Sequence, residues 1–516
     1  MYQGTVAAFL FLSLLSIELI GQEKTKIKIL NADEGEYTSE RRVLRGNVKF
    51  KHKKTLMFCD SALLGANAEE LEAYGNVKII DKKGTEIKSD SLFYSSETRL
   101  GRIRSNVLLS SEDQTLSTGH LDFDMENDLA YYVGGGVITN STDNSTLFSK
   151  RGTYFMNTEE FHFKDSIVMN TPDYNIVCDT MQYNSEKDIT RFVGPTTISS
   201  DSNSIYCERG WYDKKRRKSE FVQNVELVSK SQILKTDSLR YNQAKSIGRA
   251  YGSVSIADTT NKINVLSDYA EYDEKDSTSL ATGRLYVRKF FNDDTLHLHA
   301  DTLITNTDKS SGKRIIKAFH NARFFKSDLQ GKADSMVFND VDSTITMYND
   351  PVVWSEASQL TGDTVVITNA DGEIRDMVIQ QNAYVISKED SISYDQIKGK
   401  RLIAWFKDNE IYKIDVNRNG ETVYFVDEED ENQGKRKMGM NYLQCSNMSI
   451  FIDSNNIDNI RFYNKPEGTF YPIKDVTEEM RYLRYFQWRS AERPRDIREI
   501  FPFEMWQKLP NSYLSD

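Results

Sequence analysis

A short phrase returns twelve times along this chain at nearly constant interval. Aligned on the third position of Gly46-Asn47-Val48, its equivalents are Val77, Val107, Val137, Ile167, Thr196, Val225, Val254, Leu285, Ala322, Val352 and Ala383. Successive spacings are 29, 30, 30, 30, 29, 29, 29, 31, 37, 30 and 31 residues. A period of that length marks a repeat architecture.

A second phrase lies between successive copies of the first: a small residue, usually Asp, then an alternating stretch. It reads Cys59-Asp60-Ser61, Ser89-Asp90-Ser91-Leu92-Phe93-Tyr94, Cys178-Asp179-Thr180, Thr236-Asp237-Ser238-Leu239-Arg240-Tyr241, Ser267-Asp268-Tyr269, Ala300-Asp301-Thr302-Leu303 and Ala333-Asp334-Ser335. Both phrases have period two and are rich in Val, Ile, Tyr, Phe and Thr, and Gly, Asn, Asp and Ser join them. Each unit therefore holds at least two strands and two turns. No such unit buries its apolar face alone, so stacked units must share one continuous core.

A repeat stack grows in one dimension, which frees a chain of 516 residues from the size limit of a single compact core. The net charge of −11 is spread along the chain with Lys and Arg interleaved, so there is no nucleic-acid footprint. Residues Val6 to Leu15 form an apolar run followed by the polar Gln22-Glu23-Lys24. That run is too short for a membrane span and reads as a secretory signal peptide over residues 1–21, although no Lys or Arg precedes it; a buried N-terminal strand is the alternative. Export of a soluble mature chain follows. The four cysteines, Cys59, Cys178, Cys207 and Cys445, occupy the small-residue position of the second phrase and read as buried fillers. Cys178 and Cys207 test the fold: they stand about 4.8 Å apart if each repeat is one rung of a parallel coil, and about 9.6 Å if it is an antiparallel strand pair, too far to bridge.

After Val385 the pattern changes. Glu373-Ile374-Arg375-Asp376-Met377-Val378-Ile379 is echoed from Glu410 and again from Asn456, and strand repeats continue to about Tyr471. Asp427 to Lys437 reads as a charged loop. From Asp475 to Arg489, Val476, Met480, Leu483, Phe486 and Trp488 recur near helical spacing, and Pro494 and Pro502 close the pattern. The organisation expected is a signal peptide (1–21), β repeats (22–425), a further β repeat (426–474), and a short helix with an irregular tail (475–516) that caps the open end of the stack.

Local signatures of catalysis are missing: there is no GxSxG, HExxH, Walker A loop or paired CxxC. No catalytic residue, metal site or cofactor is assigned, and the chain is not read as an enzyme. His297 and His299 share one side of a strand and could face a metal, but they are read as part of a solvated polar strand face. The recurrent Asp residues could form a calcium ladder, yet Asp at the start of a strand more often hydrogen-bonds its own turn. The alternation points Val48 and Phe50, Val77 and Ile79, Val107 and Leu109, Val225 and Leu227, and Val254 and Ile256 to one face, joined by Leu92, Tyr94, Leu239 and Tyr241. These fourteen residues form either a filled core or an apolar trough able to hold acyl chains.

Gly-Asn-Val, an alternating strand, then small residue-Asp-Ser-Leu-x-Tyr: this succession resembles the repeat of the OstA-like (LptA) family, named for organic solvent tolerance. The likeness covers about residues 28 to 390, and the segments near Val423 and Tyr471 resemble long versions of the family. The resemblance implies an all-β, elongated antiparallel β-jellyroll open along one side, whose fourteen inward residues would contact the acyl chains of lipid A. It further implies a lipopolysaccharide carrier in the periplasm of a Gram-negative bacterium, bridging to the outer membrane. Its partners would be lipopolysaccharide and other transport components, joined by end-to-end β-strand pairing; self-association is left open. The competing fold is a parallel β-helix solenoid with a solid core and a structural or adhesive role.

Overall fold

The computed structural model describes residues 27–507 apart from 53, 66–68, 82–83, 292–293, 371–372, 408–409, 431–433 and 454–455, so the expected signal peptide lies outside the described residues. The chain divides into two compact units, Met1–Gly248 and Arg249–Asp516. Every described pairing in both is antiparallel, which excludes the parallel solenoid.

In the first unit Lys28–Asn31 and Glu34–Tyr37 both pair with Arg41–His52, and from there on strands pair with their neighbours in sequence, as in Arg41–His52 with Thr55–Gly65 and Glu70–Ile80 with Glu86–Ser95. The Gly-Asn phrase breaks every such ladder at its middle. Gly46 and Asn47, at φ 72° and 45°, are both left-handed and together oppose the single residue Asp60, since Arg45 pairs with Ser61 and Val48 with Cys59. Left-handed backbone favours Gly and Asn, and a bulge of this kind bends the strand. The same left-handed pair recurs at Gly75-Asn76, Ser105-Asn106, Asp165-Ser166, Gln223-Asn224 and, in the second unit, at Gly252-Ser253, Gly283-Arg284, His320-Asn321 and Gln381-Asn382. The phrase is thus a fold line, with hairpin turns left at the far ends of both strand halves.

The recurrent Asp residues serve that fold line. Asn76 Nδ2 donates to Asp60 Oδ2 at 2.9 Å, Asn106 to Asp90 at 2.8 Å and Asn321 to Asp301 at 3.0 Å. These carboxylates bond the bulge on the following strand, a correction to the expectation that they cap their own turns. Glycine at the bulge answers two demands, because a Cβ on Gly75 would also collide with the Asp60 carboxylate.

Two of the twelve alignment positions move. In Leu129–Asn140 the left-handed pair is Gly134-Gly135, so the inward position is Gly136, and Val137 points out with 40% exposure. The ring of Tyr132 lies where Cβ atoms of residues 136 and 152 would stand, and its hydroxyl meets Ser149 Oγ at 2.6 Å. Likewise Asn349-Asp350 is the left-handed pair that places Pro351 third; Val353, rather than Val352, joins the interior cluster.

In the second unit several strands are cut in two at the fold line. Thr278–Thr282 and Tyr286–Phe290 both pair with Ile263–Asp273, and Asn456–Tyr463 and Glu467–Pro472 both pair with Gly434–Asp453. The boundary expected at 425/426 falls inside the strand Glu410–Asp430, and the expected charged loop is mostly hairpin. Asp427 pairs with Lys437, Glu428 with Arg436 and Glu429 with Lys435 in the backbone register, and Lys437 Nζ lies 3.2 Å from Asp427 Oδ1. The ion pair between Asp427 and Lys437 supports the ladder there.

The C-terminal segment also departs from expectation. Residues 475–489 carry no helix beyond single 3-10 turns such as Glu479–Arg481, and the short helix stands later, at Phe503–Trp506. Val476, Met480, Leu483, Phe486 and Trp488 instead pack on Tyr384, Ile386, Val423, Phe425 and Met440, which lie on the sheet face opposite the interior. Further on, Ile500 and Phe501 cover Leu266 and Tyr286. The segment is a strap laid back along the outer face of its own unit. Sheet glutamines take backbone groups that a helix would pair internally: Gln359 Nε2 donates to Gln487 O at 2.8 Å, and Gln359 Oε1 accepts Arg489 N at 2.7 Å.

Candidate functional site

The inward faces of the first unit join into rows of cross-strand neighbours. One runs Phe50, Met57, Ile79, Ile87, Leu109, Leu116, Ile138, Leu147, Met169, Ile176, Ile198, Ile205, Leu227, Leu234, with no polar residue at any step. Across the fold line a second row runs from Leu44 through Ala62, Ala73, Leu92, Ile103, Leu121 and Tyr132 to Phe163, Met181, Phe192, Phe221 and Leu239, interrupted only by Gly152 and Gly210. The rings of Tyr132 and Phe221 fill the space over those two glycines. A third row, next to the hairpin turns, is aromatic and contains Tyr94, Phe123, Tyr154, Phe161, Tyr183, Tyr212 and Tyr241.

All fourteen residues named from the sequence sit on the inward face. Phe50, Ile79, Leu109 and Leu227 belong to the first row, Leu92 and Leu239 to the second, Tyr94 and Tyr241 to the third. Val48, Val77, Val107 and Val225 flank the fold line, each 1% exposed. In the second unit Val254 is buried and Ile256 half-buried. Sequence reading missed Met57, Ile87, Leu116 and Ile138, which continue the first row on intervening strands; the period-two alternation of those strands was the signal available. The rows are closed over their middle, where Leu109, Leu147 and Met169 have almost no accessible surface, whereas Ile198, Ile205, Leu227 and Leu234 at the end of the first row are half-buried. Over that middle stretch an acyl chain could enter only if facing side chains part.

The cysteines line the fold line. Cys178 and Cys207 both pair with Thr196, one on each side, which places them two strands apart as the antiparallel alternative requires. Burial pushes the Cys178 thiol up to about 12 and the Cys59 and Cys207 thiols up to about 11, so they remain neutral. His297 and His299 are not solvated: both are buried, His297 Nδ1 meets Tyr286 Oη at 2.6 Å, and His299 Nδ1 meets Leu285 O at 2.8 Å. The ring of Phe501 from the strap lies 5.1 Å from that of His299. Among the described residues no group of three or more His, Cys, Asp or Glu is placed to hold a metal, and no helix is long and apolar enough to cross a membrane.

A family model described as "LptA/(LptD N-terminal domain) LPS transport protein" matches residues 264–373. Among solved structures the chain is similar to LptH of Pseudomonas aeruginosa, "the LptA homologous periplasmic component of the conserved lipopolysaccharide transport device", at 12% identity and a TM-score of 0.20, over 21% of this chain and 81% of that one. No curated protein matches. The model of the family described as "OstA-like protein" matches residues 24–179 and 175–288, more than half of the sequence, and the chain belongs to that family.

Proposed function

We propose that the protein is an exported, non-catalytic lipopolysaccharide carrier that shields lipid A acyl chains between its inward rows in the periplasm of a Gram-negative bacterium, on the way to the outer membrane. The observation that carries this reading is the unbroken apolar row from Phe50 to Leu234. Hydrating an acyl chain of about a dozen carbons costs roughly 10 kcal/mol at about 0.8 kcal/mol per CH₂, so the lipid needs a continuous apolar path. A row of near-equivalent residues offers that path without one deep trap. Strands at the chain's two ends, Lys28–Asn31 and Glu467–Pro472, have one ladder partner each among the described pairings, and we assign to such edges the end-to-end strand pairing with other transport components.

The near-complete burial of the middle of the rows, as at Leu109, Leu147 and Met169, favours a second reading, a structural β protein with a solid core. One experiment separates the two. A photoreactive residue is placed at inward Val225 and, as control, at Glu226 on the opposite face, where its carboxylate lies 3.7 Å from Lys235. After irradiation of cells, lipopolysaccharide adducts at position 225 alone support the carrier. Folded protein without an adduct at either position favours the solid core.

A further inference from the structure

On the outer face of the first unit, Ile189, Arg191, Trp211, Asp213, Arg216 and Lys218 line a cleft of about 560 Å³. The register builds it: Ile189 pairs with Asp213 and Asp213 with Lys218, while Arg191 pairs with Trp211. These residues alternate with the inward Thr190, Phe192 and Tyr212, so the cleft is on the far side of the sheet from the apolar rows. Charges interleave along most of this chain, but Lys214-Lys215-Arg216-Arg217-Lys218 is an unbroken basic run in a protein of net charge −11. It forms the hairpin turn beside the cleft, and residues 215 to 218 are exposed.

Internal bonds leave cationic capacity there. Asp213 is committed to the turn, accepting Arg216 N at 2.7 Å and pairing with Arg216 Nη1 at 3.2 Å. Trp211 is held by its edge, Nε1 donating to Glu220 Oε2 at 3.0 Å, and Glu220 in turn accepts Arg240 Nε at 2.8 Å. Arg191 and Lys218 have no carboxylate partner among the described residues. An indole wall with two uncompensated cations matches a ring that bears an anion: the indole packs on the sugar face, and guanidinium and ammonium meet phosphate.

We propose that this cleft binds a phosphorylated saccharide. The left-handed pair Gln223-Asn224 breaks the ladder between Asn203–Asp213 and Lys218–Ser229 at its middle, so the turn 214–217 lies at the rim of the folded sheet. An amphiphile whose acyl chains lay between the inward rows would bring its polar phosphosugar over that rim. The identity of the ligand as the saccharide of lipopolysaccharide rests on the carrier reading; the cleft itself does not.

The test is titration calorimetry of the full chain with deacylated, phosphorylated core oligosaccharide, with the same oligosaccharide after phosphatase treatment, and with the Arg191→Gln/Lys218→Gln variant, whose melting temperature checks folding. The native chain should bind the phosphorylated form. Removal of the phosphates, or of the two cations, should weaken binding about tenfold or more, and added salt should weaken it further. No binding by the native chain, or equal affinity in the folded variant, overturns the proposal. The adduct at position 225 reports the interior separately. Binding retained without that adduct leaves a cleft for a free phosphorylated saccharide and removes the carrier; an adduct retained with binding indifferent to the variant removes the cleft alone.

Discussion

The side-chain oxygen of Gln396 accepts the backbone N–H of Leu483 at 2.9 Å across 87 positions of sequence, and its amide nitrogen donates to Arg481 O at 2.7 Å. One buried glutamine thus holds the strap at both a donor and an acceptor. Gln396→Ala leaves both strap groups unpaired beside an apolar cluster and should cost about 1–3 kcal/mol. Thermal denaturation reads the loss, and hydrogen exchange should rise around Leu483 while the strands beneath stay protected.

Gly75 and Gly119 separate the demands of the fold line from those of an ordinary strand. Gly75 has φ 75° and faces the Asp60 carboxylate, whereas a Cβ on Gly119 meets nothing within 4 Å. Gly75→Ala should destabilise by about 1–2 kcal/mol or more, and Gly119→Ala should stay within about 0.5 kcal/mol of the native chain. Equal losses in denaturant titrations would show that the left-handed bulge is not required.

Asp395 supplies a pH signature. Burial pushes its carboxyl up from 3.8 to about 7, against the hydrogen bond it accepts from Phe425 N at 2.9 Å. Between those two values the folded chain holds a proton that the unfolded chain has released, so this group lowers stability as pH rises through that window. Asp395→Asn should leave the melting temperature nearly unchanged near pH 4 and raise it at about pH 8. A difference independent of pH contradicts the assignment.

The shifted bulge in Leu129–Asn140 predicts a contrast between adjacent residues. Ile138 is 2% exposed and Val137 40%. Ile138→Ala should cost about 2–4 kcal/mol and Val137→Ala less than about 0.5 kcal/mol. The opposite order would restore Val137 to the inward face.

Much of this molecule was legible in the order of its residues. Period-two alternation determines which side chains share a face whatever the partner strand, so Val48, Phe50, Leu92 and Leu239 were assignable from local pattern alone, whereas Gly-Asn was legible as the mark of the repeat and its bend only from the paired strands. Where the bulge lies in Gly134-Gly135-Gly136 was not legible, since three glycines are conformationally equivalent until the Tyr132 ring claims the space over one of them. The partners of the Asp residues, the hairpin between Asp427 and Lys437, and the buried state of His297 and His299 each depend on a neighbouring strand or on the strap. The strap itself carries helical spacing, but beyond isolated local turns its backbone groups also bond Gln359 and Gln396, more than eighty residues earlier. Sequence by itself determined the repeat, the strand class and the inward face, because these follow from backbone stereochemistry and side-chain alternation. Only the tertiary structure decided register, the covering of the outer face and the cleft around Trp211, because each requires side chains that meet only after the strands have paired.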